Sequence, residues 1–542
     1  MPILPLRCLA GALLISVARI ADSATPLLAT DPSELARTVL GPLPGTAVVG
    51  ALQADHASLG AAGAQAEQSE QLLFEIGSIS KVFTGLLLAQ AVERGELKLD
   101  TTLGSLKLTK TPLPPRAASI TLGQLVTHTS CLPNDPDDIA GDMSMAETLE
   151  RYPRTRLWSA LAAQQLNHDG ACTAQYSNFG FAVLGESLAT HYHTSWEQLV
   201  YQHITKPLGM HNTVGHIGDK AGRLAAAYGD GKPVPPLLEW GAFAGAGGLH
   251  SSPQDMLTFS RALLAGRKGP LGAAAERVLQ PLYGNQIAYA IEMRGPATQR
   301  TFSKDGRTGG FSSYWTILPD THEALIVLAS NADARINGLS RKILAQRYPA
   351  PQPVAGSSGN LPDYAGVYRI DERSAFTFVA QEGQLYGRLT GQRFSQILPA
   401  GGDTYVLPSA DAAFIFNREN GQMTGVIMRQ LGVETLARRT NQAPPSVARL
   451  ATATQQAYGG HYQCVAPDEK IGYTVQAQGG QLEIKPDGER KQVIFPQKGQ
   501  SDTFLSDIAP VIYRFERDAT GAVSSLIVQR DDRRVRALRG IR

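Results

Sequence analysis

Residues 74–97 read FEIGSISKVFTGLLLAQAVERGEL, and they set a hydroxyl and an amine, Ser78 and Lys81, three residues apart at the mouth of an apolar run. On a helix, positions i and i+3 share a face about one turn apart, so the Lys81 nitrogen can reach the Ser78 oxygen. A serine hydroxyl is a weak nucleophile until a neighbouring base takes its proton. An N-cap serine beside a solvated lysine gives the same letters, so the rest of the chain has to decide between the two.

At 542 residues the chain is too long for one ordinary core. At roughly 100 to 200 residues per domain it should hold about two to four. The net charge is +2, aromatics are 7% and no basic block stands out, so nothing marks a nucleic-acid surface. Small neutral or zwitterionic substrates suit this balance better.

Residues 1–24, MPILPLRCLAGALLISVARIADSA, carry one cation at Arg7, an apolar run from Cys8 to Ala18 and then small residues. The run is shorter than the roughly 20 residues a bilayer span needs, and it matches a secretory signal peptide cut near Ala18 or Ala24. The expectation is export, to a bacterial periplasm, with no transmembrane anchor. Cys8 precedes the apolar run, which argues against a lipoprotein. With Cys8 removed, Cys131, Cys172 and Cys464 remain. In an oxidising compartment Cys131 and Cys172 can pair with Cys464 left over; three buried thiols are the alternative. No cysteine or histidine set has zinc spacing, and His191 and His193 lack a third partner, so neither metal nor cofactor is expected.

Residues 25–347 mix amphipathic helical patterns with short apolar strands such as GTAVVGAL (45–52), an α/β or α+β signature. A Pro/Gly/Ser linker, YPAPQPVAGSSGNLP, covers 348–362, and a looser one, NQAPPSVARLATATQQA, covers 441–457. The segments 363–440 and 458–542 that follow are a tandem repeat. YAGVY at 364–368 answers YGGHY at 458–462, FTFVAQEGQL at 376–385 answers YTVQAQGGQL at 473–482, and DTY at 403–405 answers DTF at 502–504. Alternating apolar residues with Gly or Asp turns about every ten residues predict two small antiparallel β-barrels or sandwiches. Tyr368 and Tyr462 are expected in their cores.

Two further stretches carry chemistry. Tyr176-Ser177-Asn178 runs into FGFAVLGESLA; nearby cationic nitrogens favour a phenolate and suit Tyr176 to carry a proton, while Asn178 offers both a donor and an acceptor. SKDGRTGGFSSYWTILPD (303–320) reads as an edge strand beginning near Lys304, whose Gly306, Gly309 and Gly310 let a substrate backbone lie close. Alone, the first is a helix start and the second a glycine-rich hairpin.

Taken in order, GSISKVFTG, YSNFG and KDGRTGGFSSY, with TLGQLVTHTSCLP and GAGGLHSSPQDM between them, resemble class C β-lactamases and the related DD-peptidases and esterases over roughly residues 30–345. The resemblance implies a β-lactamase/transpeptidase-like catalytic domain with an antiparallel sheet flanked by helices. The two-barrel tail is similar to that of D-aminopeptidases and lipocalin-tailed peptidases of the same group. Carried over, it makes Ser78 the acylated nucleophile, Lys81 its activating amine and Tyr176 the proton shuttle. Lys304 would hold the phenolate and a substrate carboxylate, Asn178 the acyl amide, and the backbone N–H groups of Ser78 and Arg307 the oxyanion hole.

Two positions depart from that pattern. Asp305 stands where the lactamases usually have threonine, and its carboxylate repels a substrate carboxylate unless Arg307 offsets it. Cys131 stands where glycine is usual. His128 beside it is read as structural. The leading expectation is a secreted serine hydrolase opening β-lactams or cleaving D-Ala-containing peptidoglycan peptides. The rivals are a D-aminopeptidase, amidase or esterase, and a penicillin-binding protein acylated without efficient turnover.

Overall fold

The computed structural model describes residues 31–540 except 55, 140–144, 167–169, 285, 357–358, 373, 382, 445–451, 466–470, 479–480, 489–490, 497–499, 507–510 and 531–532. The expected signal segment, with Cys8, lies outside the described residues.

Six antiparallel strands form the sheet of the first domain: β1 (Thr46–Gln53), β2 (His56–Gly63), β3 (Glu292–Arg294), β4 (Thr301–Arg307), β5 (Ser312–Leu318) and β6 (Glu323–Ala329), in the order β2-β1-β6-β5-β4-β3. The chain's first and last strands of this domain therefore meet in its middle, with Val49 opposite Val327. β5 and β6 are buried along their whole length; β6 reads as an apolar run after Glu323, while the buried Ser312, Ser313 and Thr316 hydroxyls of β5 each donate to a backbone carbonyl. On one face Val49, Leu325 and Val327 pack under α1 (Pro32–Leu40) and the helix Ile336–Arg347; on the other, Val48, Ile326 and Leu328 join the large helical core.

α2 (Ser80–Glu93) runs through that core and is apolar all round because it is covered all round. Phe83 stacks on Phe259 with centroids 4.4 Å apart, which fixes its rotation about its axis. The helix begins as a single 3-10 turn, Gly77–Ile79, so Ser78 sits in the turn and Lys81 in the helix proper.

The tail folds as two closed eight-stranded barrels, with strands running from Gly366 to Arg439 and from Gly460 to Arg539. A short helix leads into each, Leu361–Tyr364 and Thr452–Tyr458, taken from the ends of the two expected linkers. The repeat extends to individual contacts. Tyr364 donates to Asp403 at 2.7 Å while Arg418 pairs with the same carboxylate; Tyr458 donates to Asp502 at 2.6 Å while Arg517 pairs with it. Tyr368 and Tyr462, both fully buried, donate to the carbonyls of Tyr364 and Tyr458.

Guanidinium groups join the barrels. Arg388 of the first lies 4.9 Å from the ring centroid of Phe394 and 4.1 Å from that of Phe495 in the second, and Arg393 donates to Glu483 across the same seam at 2.6 Å.

Candidate active site

Ser78 projects from its tight turn because β4 is pressed against that turn. Gly77 has φ +51°, and a Cβ on it would stand 2.8 Å from the Arg307 nitrogen. A Cβ on Gly306 would fall 2.1 Å from the Ile76 carbonyl and 3.0 Å from the Ser78 nitrogen. Glycine at both positions is what allows two backbone segments to meet beside the hydroxyl. The Ser313 hydroxyl, donating to the Ile76 carbonyl at 2.9 Å, holds the joint.

Lys81 is completely buried. Its Nζ lies 3.0 Å from Ser78 Oγ, 2.8 Å from Asn178 Oδ1 and 2.7 Å from the Ala246 carbonyl. The third contact comes from GAGG (245–248), a turn brought close because Gly245 packs directly on Gly185 of α3 (Asn178–His191). Burial, and after it the charge of Lys304, pushes the amine well below its ordinary range, with Asp135 and Asp305 pulling the other way. A neutral amine has two hydrogens and one lone pair. The fixed acceptors Asn178 Oδ1 and Ala246 O take the hydrogens, which turns the lone pair toward Ser78.

Tyr176 donates to Ser78 Oγ from the other side at 2.5 Å. Its ring is 40% exposed at the mouth of the site while the hydroxyl end is turned inward. The Nζ atoms of Lys81 and Lys304 stand 4.8 and 4.9 Å from its ring centroid. The sequence suggests that these cations favour a phenolate. In the structure the hydroxyl is pushed up, not down: burial dominates, and Asp305, Glu292 and Asp135 add to it. The resting site therefore holds a neutral phenol.

His128 is neutral and structural in its contacts. Its Nδ1 accepts from the Ser177 N–H at 3.1 Å, its ring packs 4.7 Å from that of Tyr176, and burial beside Lys304 and Lys81 takes its pKa down to about 2. Cys131 and Cys172 are bonded, and Cys464 is a buried thiol of the second barrel. The disulfide ties together two segments already running side by side, through Cys172 N–H to Thr129 O at 2.9 Å and Gln175 N–H to His128 O at 2.8 Å. Cys131 has φ +64°, the left-handed backbone that explains why glycine is common there.

On β4, alternation turns Lys304 and Gly306 inward and leaves Asp305 and Arg307 exposed. Among the described residues no ion pair joins Asp305 to Arg307. Lys304 instead faces Glu292 of β3 at 3.9 Å. Four contributors escape motif reading: Asp135, which accepts from Asn178 Nδ2 at 3.2 Å, the Ala246 carbonyl, Glu292, and Val433 of the first barrel. Val433 lines the cleft of about 280 Å³ together with His128, Tyr176, Gln286, Glu292 and Lys304. Among the described residues no cluster of His, Cys, Asp or Glu could hold a metal, and no helix is long and apolar enough to cross a membrane.

One turn before Ser78, Glu75 is buried and accepts from the Leu237 N–H at 2.7 Å, while His250 Nε2 donates to the Leu237 carbonyl at 2.9 Å. Burial raises the Glu75 carboxyl to about 7, against the Leu237 N–H, which lowers it.

A family model described as Beta-lactamase matches residues 43–346. The D-alanyl-D-alanine-carboxypeptidase/endopeptidase AmpH of Escherichia coli K12 is 27% identical over 286 residues, covering 49% of this chain and 73% of that protein. Penicillin-binding protein 4 of Amycolatopsis lactamdurans is 24% identical over 306 residues, 51% of this chain and 77% of that one. In fold, the crystal structure of a beta-lactamase/D-alanine carboxypeptidase from Yersinia pestis, in complex with citrate, is similar with a TM-score of 0.50 at 21% identity, over 59% of this chain and 96% of that chain.

Proposed function

The chain belongs to the beta-lactamase family, and from that premise we propose that it is an exported serine hydrolase working through an acyl-enzyme on β-lactams or D-alanine-containing peptidoglycan peptides. The observation that carries this reading is the placement of one hydroxyl, Ser78 Oγ, between an amine at 3.0 Å and a phenol at 2.5 Å. The Cys131–Cys172 disulfide supports an oxidising compartment, in keeping with a periplasmic location.

The proton count follows from the two neutral groups. Ser78 Oγ attacks the acyl carbon and passes its proton to Lys81; the Tyr176 proton goes to the leaving atom. This leaves an ammonium next to a phenolate, each stabilising the other, with Lys304 a second cation over the ring. Water then attacks the acyl-enzyme and gives a proton to Tyr176, and Ser78 recovers its own from Lys81. The N–H groups of Ser78 and Arg307 would receive the oxyanion, at about 3 kcal/mol per donor. Asn178 would meet the acyl amide of the substrate with the amide hydrogen that Asp135 leaves free.

A second reading, a D-aminopeptidase, amidase or esterase, is favoured by one specific observation. Glu292 and Asp305 both act as negative charges on Tyr176, the group that meets the leaving atom in this mechanism. These disfavour a leaving group that carries its own carboxylate.

The test is a time course with a chromogenic cephalosporin, read by absorbance and intact mass, with Ser78→Ala alongside. Sustained absorbance change lost in the variant supports β-lactam turnover. A stable mass adduct without turnover indicates a penicillin-binding protein, and neither signal directs the search to D-amino-acid amides and esters. Unaltered hydrolysis by Ser78→Ala refutes the mechanism.

A further inference from the structure

The outer wall of the first barrel carries a feature that neither packing nor solubility requires. Ile415, Ile427 and Leu436 are directly opposite one another on the three neighbouring strands Ala412–Glu419, Gln422–Gln430 and Val433–Arg439. All three face away from the barrel core, and Leu436 is 55% exposed. A row of aliphatic side chains across the outside of a barrel is an apolar patch in need of a partner. It forms one wall of a cleft of about 810 Å³ whose other wall includes Pro296, Tyr348, Pro349 and Pro351.

This cleft adjoins the smaller one, on the Tyr176 side of the active site. Gln286 and Val433 line both spaces, and Arg294, at the edge of the smaller one, is bonded in sequence to Gly295 of the larger. The junction is held in place: the Gly295 N–H donates to the Gly432 carbonyl at 2.7 Å, so the tip of a barrel hairpin is tied to the end of β3. The smaller space is bounded by Tyr176 and Lys304, and by neither Ser78 nor Asn178, so it lies beyond the nucleophile on the side of the phenol. Tyr176 protonates the leaving atom in the mechanism above, so the long cleft extends from the leaving-group side. The charges there, Lys304 against Glu292 and farther out Arg429 against Glu434 at 2.7 Å, are already paired with each other. What they leave unmatched is apolar surface.

We propose that the cleft between the first domain and the first barrel is a subsite for the leaving group, and that it takes an extended, uncharged aliphatic chain. The proposal rests on the acyl-transfer reading of Ser78. With an alkyl ester, Ser78 Oγ bonds to the acyl carbon, the bond from that carbon to the alcohol oxygen breaks, the Tyr176 proton goes to that oxygen, and the long-chain alcohol departs along the cleft. Water completes the cycle by releasing the acid. The volume lies within the range of pockets that enclose whole small-molecule ligands.

The test uses the full-length mature protein and N-acetyl-D-alanine methyl, butyl and octyl esters below their aggregation limits. The readout is the octyl-to-methyl ratio of kcat/KM within each protein. Full burial supports roughly a fourfold gain per methylene, and even partial burial should give a ratio of at least about tenfold. Ile427→Asp and Leu436→Asp should bring the ratio close to one, while Leu538→Asp, an exposed position on the second barrel, should leave it as in the parent. A parent ratio near one overturns the subsite, as does a high ratio that survives both aspartates. Binding of the octyl and methyl esters to Ser78→Ala, followed by calorimetry, separates the two ideas. A chain-length preference in binding with no turnover by the parent protein sinks the hydrolase reading and keeps the subsite. Turnover without any preference does the reverse. Loss of a dimer in Leu436→Asp, with no chain-length effect, assigns the patch to a second copy of the chain and overturns the proposal.

Discussion

Lys81 Nζ lies 4.8 Å from the centroid of the Tyr176 ring, and the Ser78 oxygen receives both side chains at once. The amine is held low by burial and the phenol high, so at rest Lys81 keeps a free lone pair, which takes the Ser78 proton as the bond to the acyl carbon forms. Lys81→Arg puts a permanent cation where the neutral amine stood, and it cannot accept a proton. Acylation of Ser78, followed by intact mass, should slow by about 10²- to 10⁴-fold. In the parent protein the acylation rate should fall as pH drops through the lowered Lys81 pKa and the amine becomes charged. An arginine variant acylating at the parent rate would show that Lys81 is not the base.

Glu292 stands beside Lys304 and draws its charge away from the substrate. Glu292→Gln frees that ammonium and removes a repulsive carboxylate. For a substrate with a carboxylate on its leaving group, KM should fall by about three- to tenfold at low salt, and by less as ionic strength rises. Neutral esters should change little. Equal effects on both substrate types would mean that Glu292 acts through structure and not charge.

Closing a loop across 41 positions of sequence, the Cys131–Cys172 disulfide should contribute about 4 kcal/mol. Reduction, or Cys172→Ser, should lower the denaturation midpoint by a corresponding amount and slow turnover, since the tied segments carry Tyr176 and His128. In the Cys172→Ser background, Cys131→Gly should recover about 1 kcal/mol, because glycine accepts φ +64° without strain. Serine and glycine at 131 giving the same stability would contradict the strain.

Glu75 has its carboxyl raised from the usual 4.5 to about 7. Between those pH values the folded chain keeps a proton that the unfolded chain has lost, so stability falls as pH rises through this window. Above pH 7 the buried carboxylate costs about 3 kcal/mol in full. Glu75→Gln should therefore be more stable than the parent at pH 8 and similar to it at pH 4.5, in denaturant titrations at the two values. A constant difference at both would place the effect in packing.

Ser78, Lys81, Tyr176 and Asn178 were legible because short local spacings bring them to the site: one helical turn for the first pair, one N-terminal turn for the second. The barrels were legible because the same pattern occurs twice. What the sequence hid is what distant segments bring by docking. Ala246 O and Asp135 reach the site through glycine contacts and loop pairing that no single motif encodes, and Val433 arrives from a separate domain. The protonation of Tyr176 was misjudged for a related reason. Neighbouring cations can be read from a motif, whereas the desolvation that outweighs them depends on the whole enclosure. Cys131 and Cys172 left two readings open, since 41 residues of spacing say nothing about whether their backbones adjoin.

Arg388 is held between an aromatic ring of its own barrel and one from the next, so both barrels contribute a wall to its seat. The first barrel is thus engaged at both ends, bolted to its repeat by Arg388 and abutting the mouth of the site through Val433, which makes it the span between the C-terminal barrel and the cleft.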